Sequence, residues 1–66
     1  MEYLYMMICD GGEWEDMLVY NTEDEAVHAS IRNPDFRIEI FARNNGRGPF
    51  SPTYRYYQNG QLYESS

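Results

Sequence analysis

The stretch YYQNGQLY, residues 56–63, places an Asn-Gly pair between two short runs of tyrosine and leucine. Asn-Gly is the strongest short signal for a β-hairpin, because a type I′ turn requires positive φ at both central positions. A two-residue turn also sets the register of the two strands. The expected pairs are Gln58 with Gln61, Tyr57 with Leu62, Tyr56 with Tyr63, and Arg55 with Glu64.

The pleat of this hairpin separates the aromatic side chains onto two faces. Tyr54, Tyr56 and Tyr63 are expected on one face, and Tyr57 and Leu62 on the other, where they would form a small core plug beneath a helix. Two interpretations of the first face are open. The three rings pack beneath the loop 44–52, or they form an exposed patch of the kind enriched in protein interfaces.

The rest of the chain supplies three more strands and one helix. Alternating or continuous apolar patterns predict strands over 1–9, 15–20, 35–43, 53–58 and 61–63. Thr22 and Glu25 form a capping box that begins a helix of about 11 residues, and Asn33-Pro34 ends it. Within that helix, the apolar stripe is expected at Val27 and Ile31, with Ala26 and Ser30 beside it.

The resulting element order is β-β-α-β-β-β. A right-handed crossover from the second strand to the third gives the sheet order 2-1-3-4-5. We therefore expect an α+β fold over residues 1–66, a single small domain with a mostly antiparallel sheet and one helix on one face. The first strand is apolar on both sides, so it belongs in the interior of the sheet.

The composition restricts how such a small domain can be stabilised and where it works. Sixty-six residues form one domain, and 11 of them are aromatic. Cys9 and His28 are the only Cys and His, so no internal disulfide, metal site or cofactor is expected. The N-terminal run has neither the charge nor the length of a signal peptide or membrane span, which predicts an intracellular protein without membrane association.

The charge is unevenly distributed along the chain. The net charge is −6; residues 1–30 carry eight acids and no base, whereas residues 31–66 carry all five arginines and three acids. This balance argues against direct nucleic-acid binding, which needs dense positive charge along one face. It permits a surface with separated negative and positive regions.

Few residues are candidates for chemistry. A thiol–imidazole pair requires hydrogen-bond reach, and the spacing of Cys9 and His28 brings them to different elements, so no catalytic residue is predicted. The acidic segment DGGEWED, residues 10–16, lacks the EF-hand spacing for Ca²⁺ and is better explained as a solvated turn. Trp14 within it is either a lid over the sheet or an interface anchor.

The arginine-bearing loop offers a further contact. Arg43 and Arg47 lie within the segment RNNGRGPFSP, residues 43–52, and are suited to an acidic partner surface. In a head-to-tail assembly, the acidic surface would be the loop of another copy that carries Glu13, Glu15 and Asp16. The simpler alternative is that the arginine-bearing loop is charged but has no partner.

The runs GEWED…VY.TEDEAV.AS…P..RIEIF and PTYRYYQNGQLY resemble those of small uncharacterised proteins of large nucleocytoplasmic DNA viruses. The resemblance spans about residues 3–63 and implies a viral setting, in the host cytoplasm or the virion. It carries over no catalytic residue.

Taken with the residues above, the expected function is a non-enzymatic interaction or structural protein, in a viral accessory or minor virion role. It would bind a protein partner or itself through aromatic faces. The alternative is an acidic inhibitor, or nucleic-acid mimic, that binds a basic protein surface; a small enzyme is the least favoured reading. The predicted partner-binding residues are Trp14, Tyr54, Tyr56, Tyr63, Arg43, Arg47, Glu13, Glu15 and Asp16.

Overall fold

One helix lies against a five-stranded antiparallel sheet in the computed structural model, which describes residues 1–8, 17–44 and 46–64. The elements are β1 (Glu2–Ile8), β2 (Leu18–Tyr20), α1 (Glu23–Arg32), β3 (Arg37–Arg43), β4 (Ser51–Gln58) and β5 (Gln61–Glu64). The sheet order is β2-β1-β3-β4-β5. The predicted α+β fold, element order and strand order are confirmed.

The helix begins and ends where local side-chain chemistry places its boundaries. Thr22 has extended backbone geometry, and its hydroxyl oxygen accepts from the amide of Glu25 at 3.3 Å. The same hydroxyl donates to the Glu25 carboxylate at 2.9 Å, so the return contact of the capping box reaches the side chain of Thr22. At the other end, the backbone and side-chain amides of Asn33 both donate to the Ala29 carbonyl, at 3.0 and 2.9 Å.

The side of the helix that faces the sheet differs from the predicted stripe. Ala26, Ala29 and Ser30 are buried, Val27 is half-buried, and Ile31 is 51% exposed. The small side chains of Ala26, Ala29 and Ser30 let the helix approach the sheet closely. The buried face of the helix is therefore centred on these residues and not on Val27 and Ile31. The prediction of Ile31 as a core residue is wrong.

The core is a thin layer between this helix and the middle of the sheet. It contains Tyr5, Met7, Ile38, Ile40 and Tyr57, which pack with the two helix alanines. Edge strand β5 lies beyond this layer, and its Leu62 is 50% exposed. Of the predicted core plug, Tyr57 is therefore correctly placed and Leu62 is not.

The C-terminal hairpin has the predicted register, with Tyr56 opposite Tyr63 and Tyr57 opposite Leu62. Its turn residues, Asn59 and Gly60, have φ of 51° and 78°, as a type I′ turn requires. The Gly60 amide donates to the Ser30 hydroxyl at 2.9 Å, and that hydroxyl donates to a helix carbonyl. The turn is thereby tied to the helix.

Strand β4 begins two residues earlier than predicted and contains a bulge. Between paired positions, β3 advances from Glu39 to Phe41 while β4 advances from Tyr56 to Pro52, which adds two residues on the β4 side. Tyr54 lies in this bulge with a φ of 63° and is 64% exposed. A regular alternation through Tyr54 was assumed from the sequence, and the bulge interrupts it.

Candidate interaction face

The face of the sheet opposite the helix, here called the open face, follows from strand alternation. Since Tyr5 and Met7 point to the helix, the alternate residues of β1 point the other way, and cross-strand pairing extends this assignment across the sheet. The open face consists of Glu2, Leu4, Met6, Ile8, Val19, Arg37, Glu39, Phe41, Arg43, Pro52, Tyr56, Gln58, Gln61 and Tyr63.

A central row crosses the open face and uses one residue from each strand. Strand pairing joins Val19 to Met6, Met6 to Glu39, Glu39 to Tyr56, and Tyr56 to Tyr63. Met6, Glu39 and Tyr56 are half-buried, whereas Val19 and Tyr63 at the two ends are exposed. The row therefore has apolar or aromatic side chains on four strands and the Glu39 carboxylate on the central strand.

The two tyrosines of this row form a preorganised aromatic pair. The rings of Tyr56 and Tyr63 are stacked, with centroids 5.4 Å apart and planes 20° apart. The guanidinium of Arg37 lies 4.5 Å from the centre of the Tyr56 ring, within cation–π range. Tyr63 remains 46% exposed. The pair thus presents large rings whose orientation is already held by neighbours in the same chain.

The 44–52 loop directs its aromatic ring elsewhere. The guanidinium of Arg43 lies 4.5 Å from the centre of the Phe50 ring, and it also pairs with the Glu2 carboxylate at 2.8 Å. Among the described residues, no ring contact joins Phe50 to the tyrosine pair. Phe50 therefore covers the far end of the open face, beside Glu2, rather than its tyrosine end.

The predicted partner-binding residues are only partly brought together. Tyr56 and Tyr63 stack on the open face, and Tyr54 stands apart from them in the β4 bulge. Arg43 lies in β3 and is engaged by Glu2, while Arg47 is exposed in the following turn. Trp14, Glu13, Glu15 and Asp16 lie outside the described residues, as does Cys9, and the predictions made for them remain predictions.

Most residues of the open face are absent from the sequence-predicted set, among them Arg37, Glu39 and Phe41 of β3. The signal for them is the alternation in RIEIF, residues 37–41, which places Arg37, Glu39 and Phe41 on one side of β3. Selecting residues by their interface frequency favoured tyrosine and overlooked the neighbours that tyrosine contacts.

Two of the clefts formed by the described residues lie beside the central row and beside the helix. One of about 480 Å³, here called the Phe36 cleft, adjoins the open face and is lined by Ile8, Asp35, Phe36, Arg37, Glu39 and Gln58. The other, of about 210 Å³, lies on the helix side beside the N-terminus of α1 and is lined by Tyr3, Tyr5, Glu23, Ile40, Arg55, Tyr57 and Leu62. The Phe36 cleft is thus continuous with the central row.

The smaller cleft holds the two tyrosines whose protonation is perturbed. Burial, together with the hydrogen bond to the Glu23 carboxylate and its charge, raises the pKa of Tyr57 to about 12. Burial also raises the pKa of Tyr5, with Glu23 again adding to the effect. Both hydroxyls therefore keep their protons at neutral pH. A general base works best with a pKa near the working pH, and these groups are shifted away from it.

Comparison with known proteins found no protein-family model, curated protein or solved structure that matches this chain. Within the described ranges, no helix has the length and apolar character needed to cross a bilayer. The same ranges contain no cluster of three or more His, Cys, Asp or Glu suited to a metal ion.

Proposed function

We propose that this chain is a non-enzymatic interaction protein that binds another protein chain through the open face. The observation that carries the proposal is the central row, which places apolar or aromatic side chains on four of the five strands and the Glu39 carboxylate between them, on the side away from the helix. A sheet is ordinarily apolar on one face and covered there by another layer. This sheet has its helix on one face and a second apolar strip on the other.

The chemistry of the strip suits a protein partner. Tyrosine and arginine are enriched among the residues that dominate binding energy, because they combine a large contact area with a polar tip. Here Tyr56, Tyr63 and Arg37 are already in contact, so little side-chain freedom remains to be lost when a partner binds. Preorganisation of this kind favours binding over a purely solvated role.

The setting of the interaction is proposed from the sequence resemblance. On that basis the chain acts as an accessory or minor virion component of a large DNA virus.

Site-specific photo-crosslinking in the producing cell tests this function. A benzophenone amino acid replaces Tyr63 in one version and His28, which is exposed on the helix, in a matched control. We expect protein adducts from position 63 and none from position 28. Equal adducts from both positions, or none from position 63, would overturn the proposal. Adducts confined to position 28 would favour the acidic-inhibitor alternative.

A further inference from the structure

We infer that the chain that docks on the open face is a second copy of this protein, in a two-fold arrangement with the two sheets face to face. The inference rests on the proposed function and adds the partner's identity. The two-fold axis would run between the sheets and across the strands, at the level of Ile38.

Charge placement on β3 is the first argument. Arg37 and Glu39 are two residues apart on the same strand and the same face. An axis that crosses the strand at Ile38 sets Arg37 of one copy opposite Glu39 of the other, and does so twice. Such self-complementarity is what a two-fold interface requires. Glu39 forms no ion pair among the described residues, and a second copy supplies its cation.

The neighbouring strands fit the same axis. Ile8 pairs with Arg37 and Met6 with Glu39 in the sheet, so Met6 of one copy would face Ile8 of the other, apolar against apolar. In the C-terminal hairpin, the two tyrosines would face the two glutamines, since Tyr56 pairs with Tyr63 and Gln58 with Gln61. A tyrosine hydroxyl and a glutamine amide each donate and accept hydrogen bonds. Strands β1, β3, β4 and β5 therefore each meet chemically compatible residues of the second copy.

Shape supplies the third argument. Phe41 lies three residues beyond Ile38 on β3, and Asp35 lies three residues before it. The axis therefore sets Phe41 of one copy over Asp35 of the other, at the Phe36 cleft. That cleft has a volume of about 480 Å³ and a mostly polar lining, in which Ile8 and Phe36 are the apolar residues. The Phe41 ring of one copy would insert into the Phe36 cleft of the other.

Area and net charge agree with a reversible dimer. The overlap from Phe41 to Asp35 is about 23 Å long on β3, and five strands at about 4.8 Å spacing are about 24 Å wide. Because β2 and β5 are shorter than β3, the buried area is below the product of these lengths, so it is less than about 550 Å² per copy and less than about 1,100 Å² in total, the size of a small, reversible interface. The face carries two acids and two arginines, Glu2, Glu39, Arg37 and Arg43, so two copies meet without net repulsion although the chain has a net charge of −6.

Sedimentation equilibrium of the purified full chain, with charge-reversed variants, tests the inference. R37E would set two carboxylates opposite each other, and E39R two guanidiniums, so each variant alone should dimerise at least tenfold more weakly than the native chain. An equimolar mixture of R37E and E39R should recover dimers, because every facing pair is again of opposite sign. The double variant R37E/E39R should also dimerise. R32E, which reverses an exposed helix charge, is the control and should leave dimerisation unchanged.

The native chain is expected to reach twice its 7.9 kDa mass as concentration rises. A native chain that stays monomeric, dimers insensitive to R37E and E39R, or a mixture that fails to recover dimers would each overturn the inference. Circular dichroism spectra of all variants verify folding. The mass of the adduct from position 63 distinguishes the two proposals. An adduct with a different protein would support binding through the open face but reject a second copy as the partner. A chain that stays monomeric and gives no adduct would reject both proposals.

Discussion

Ser30→Ala should destabilise the fold more than any other removal of a single oxygen atom from the described residues. Ser30 is fully buried between the helix and the hairpin turn. Its hydroxyl donates to the Val27 carbonyl at 2.7 Å and accepts from the Gly60 amide at 2.9 Å. The substitution leaves that amide, in the half-buried turn, without its acceptor, while the alanine side chain fills nearly the same space.

The magnitude follows from these two hydrogen bonds. An unsatisfied donor that is shielded from water costs about 1–3 kcal/mol. Alanine returns about 0.5 kcal/mol through its higher helix propensity. The net loss in the free energy of unfolding is therefore about 0.5–2.5 kcal/mol. A domain of this length has about 3–10 kcal/mol in total, so the loss is a large fraction of its stability.

Thermal and urea unfolding, followed by circular dichroism at one protein concentration, measure the effect. A loss of this size lowers Tm by about 2–20 °C in so small a domain. Ser51→Ala, at an exposed position of β4, is the matched control and should change Tm little. If Ser30→Ala lowers the free energy of unfolding by less than about 0.5 kcal/mol relative to the control, the bridge from helix to turn does not contribute as argued.

Three further predictions concern the turn, the helix cap and the buried ring. Gly60→Ala should lower the free energy of unfolding more than Gly48→Ala does. Both glycines have positive φ, but only at Gly60 does the new methyl group lie 3.0 Å from Ile31. Equal losses in urea unfolding would contradict this. Thr22→Ala should cost about 1 kcal/mol and Thr22→Ser much less, since serine keeps the capping oxygen. Stability should fall as pH rises from about 10 to about 12, because the folded state holds the Tyr57 proton more tightly than the unfolded state; Tyr57→Phe should flatten this decline in urea titrations at successive pH values.

The parts of the fold that were predictable from the sequence are those determined by local chemistry. Asn59-Gly60 requires one turn type, and that turn sets the register of β4 and β5. Thr22 and Pro34 restrict the helix to the segment between them. The strand order then follows from the handedness of a single crossover. Each of these inferences needed only neighbouring residues and a general rule of chain geometry.

The errors arose where one element meets another. Ile31 and Leu62 were assigned to the core by hydrophobicity, yet the helix approaches the sheet through Ala26 and Ala29, and its reach ends before β5. Close approach through small residues depends on the fit of two surfaces, which periodicity within one segment does not contain. The bulge at Tyr54 is similar, because it reflects a mismatch between β3 and β4 rather than a signal in either strand.

The segment RIEIF, residues 37–41, connects the fold to the proposed interface. Ile38 and Ile40 are buried against the helix side, so packing of the monomer sets where β3 lies and which way its alternate residues point. Arg37, Glu39 and Phe41 consequently occupy the open face at positions that the core has already fixed. Substitutions at these three positions should therefore alter association while leaving the core packed. Because the open face lies outside the core, R37E and E39R can abolish dimers while the monomer stays folded. The two variants therefore test the interface and not the stability of the fold.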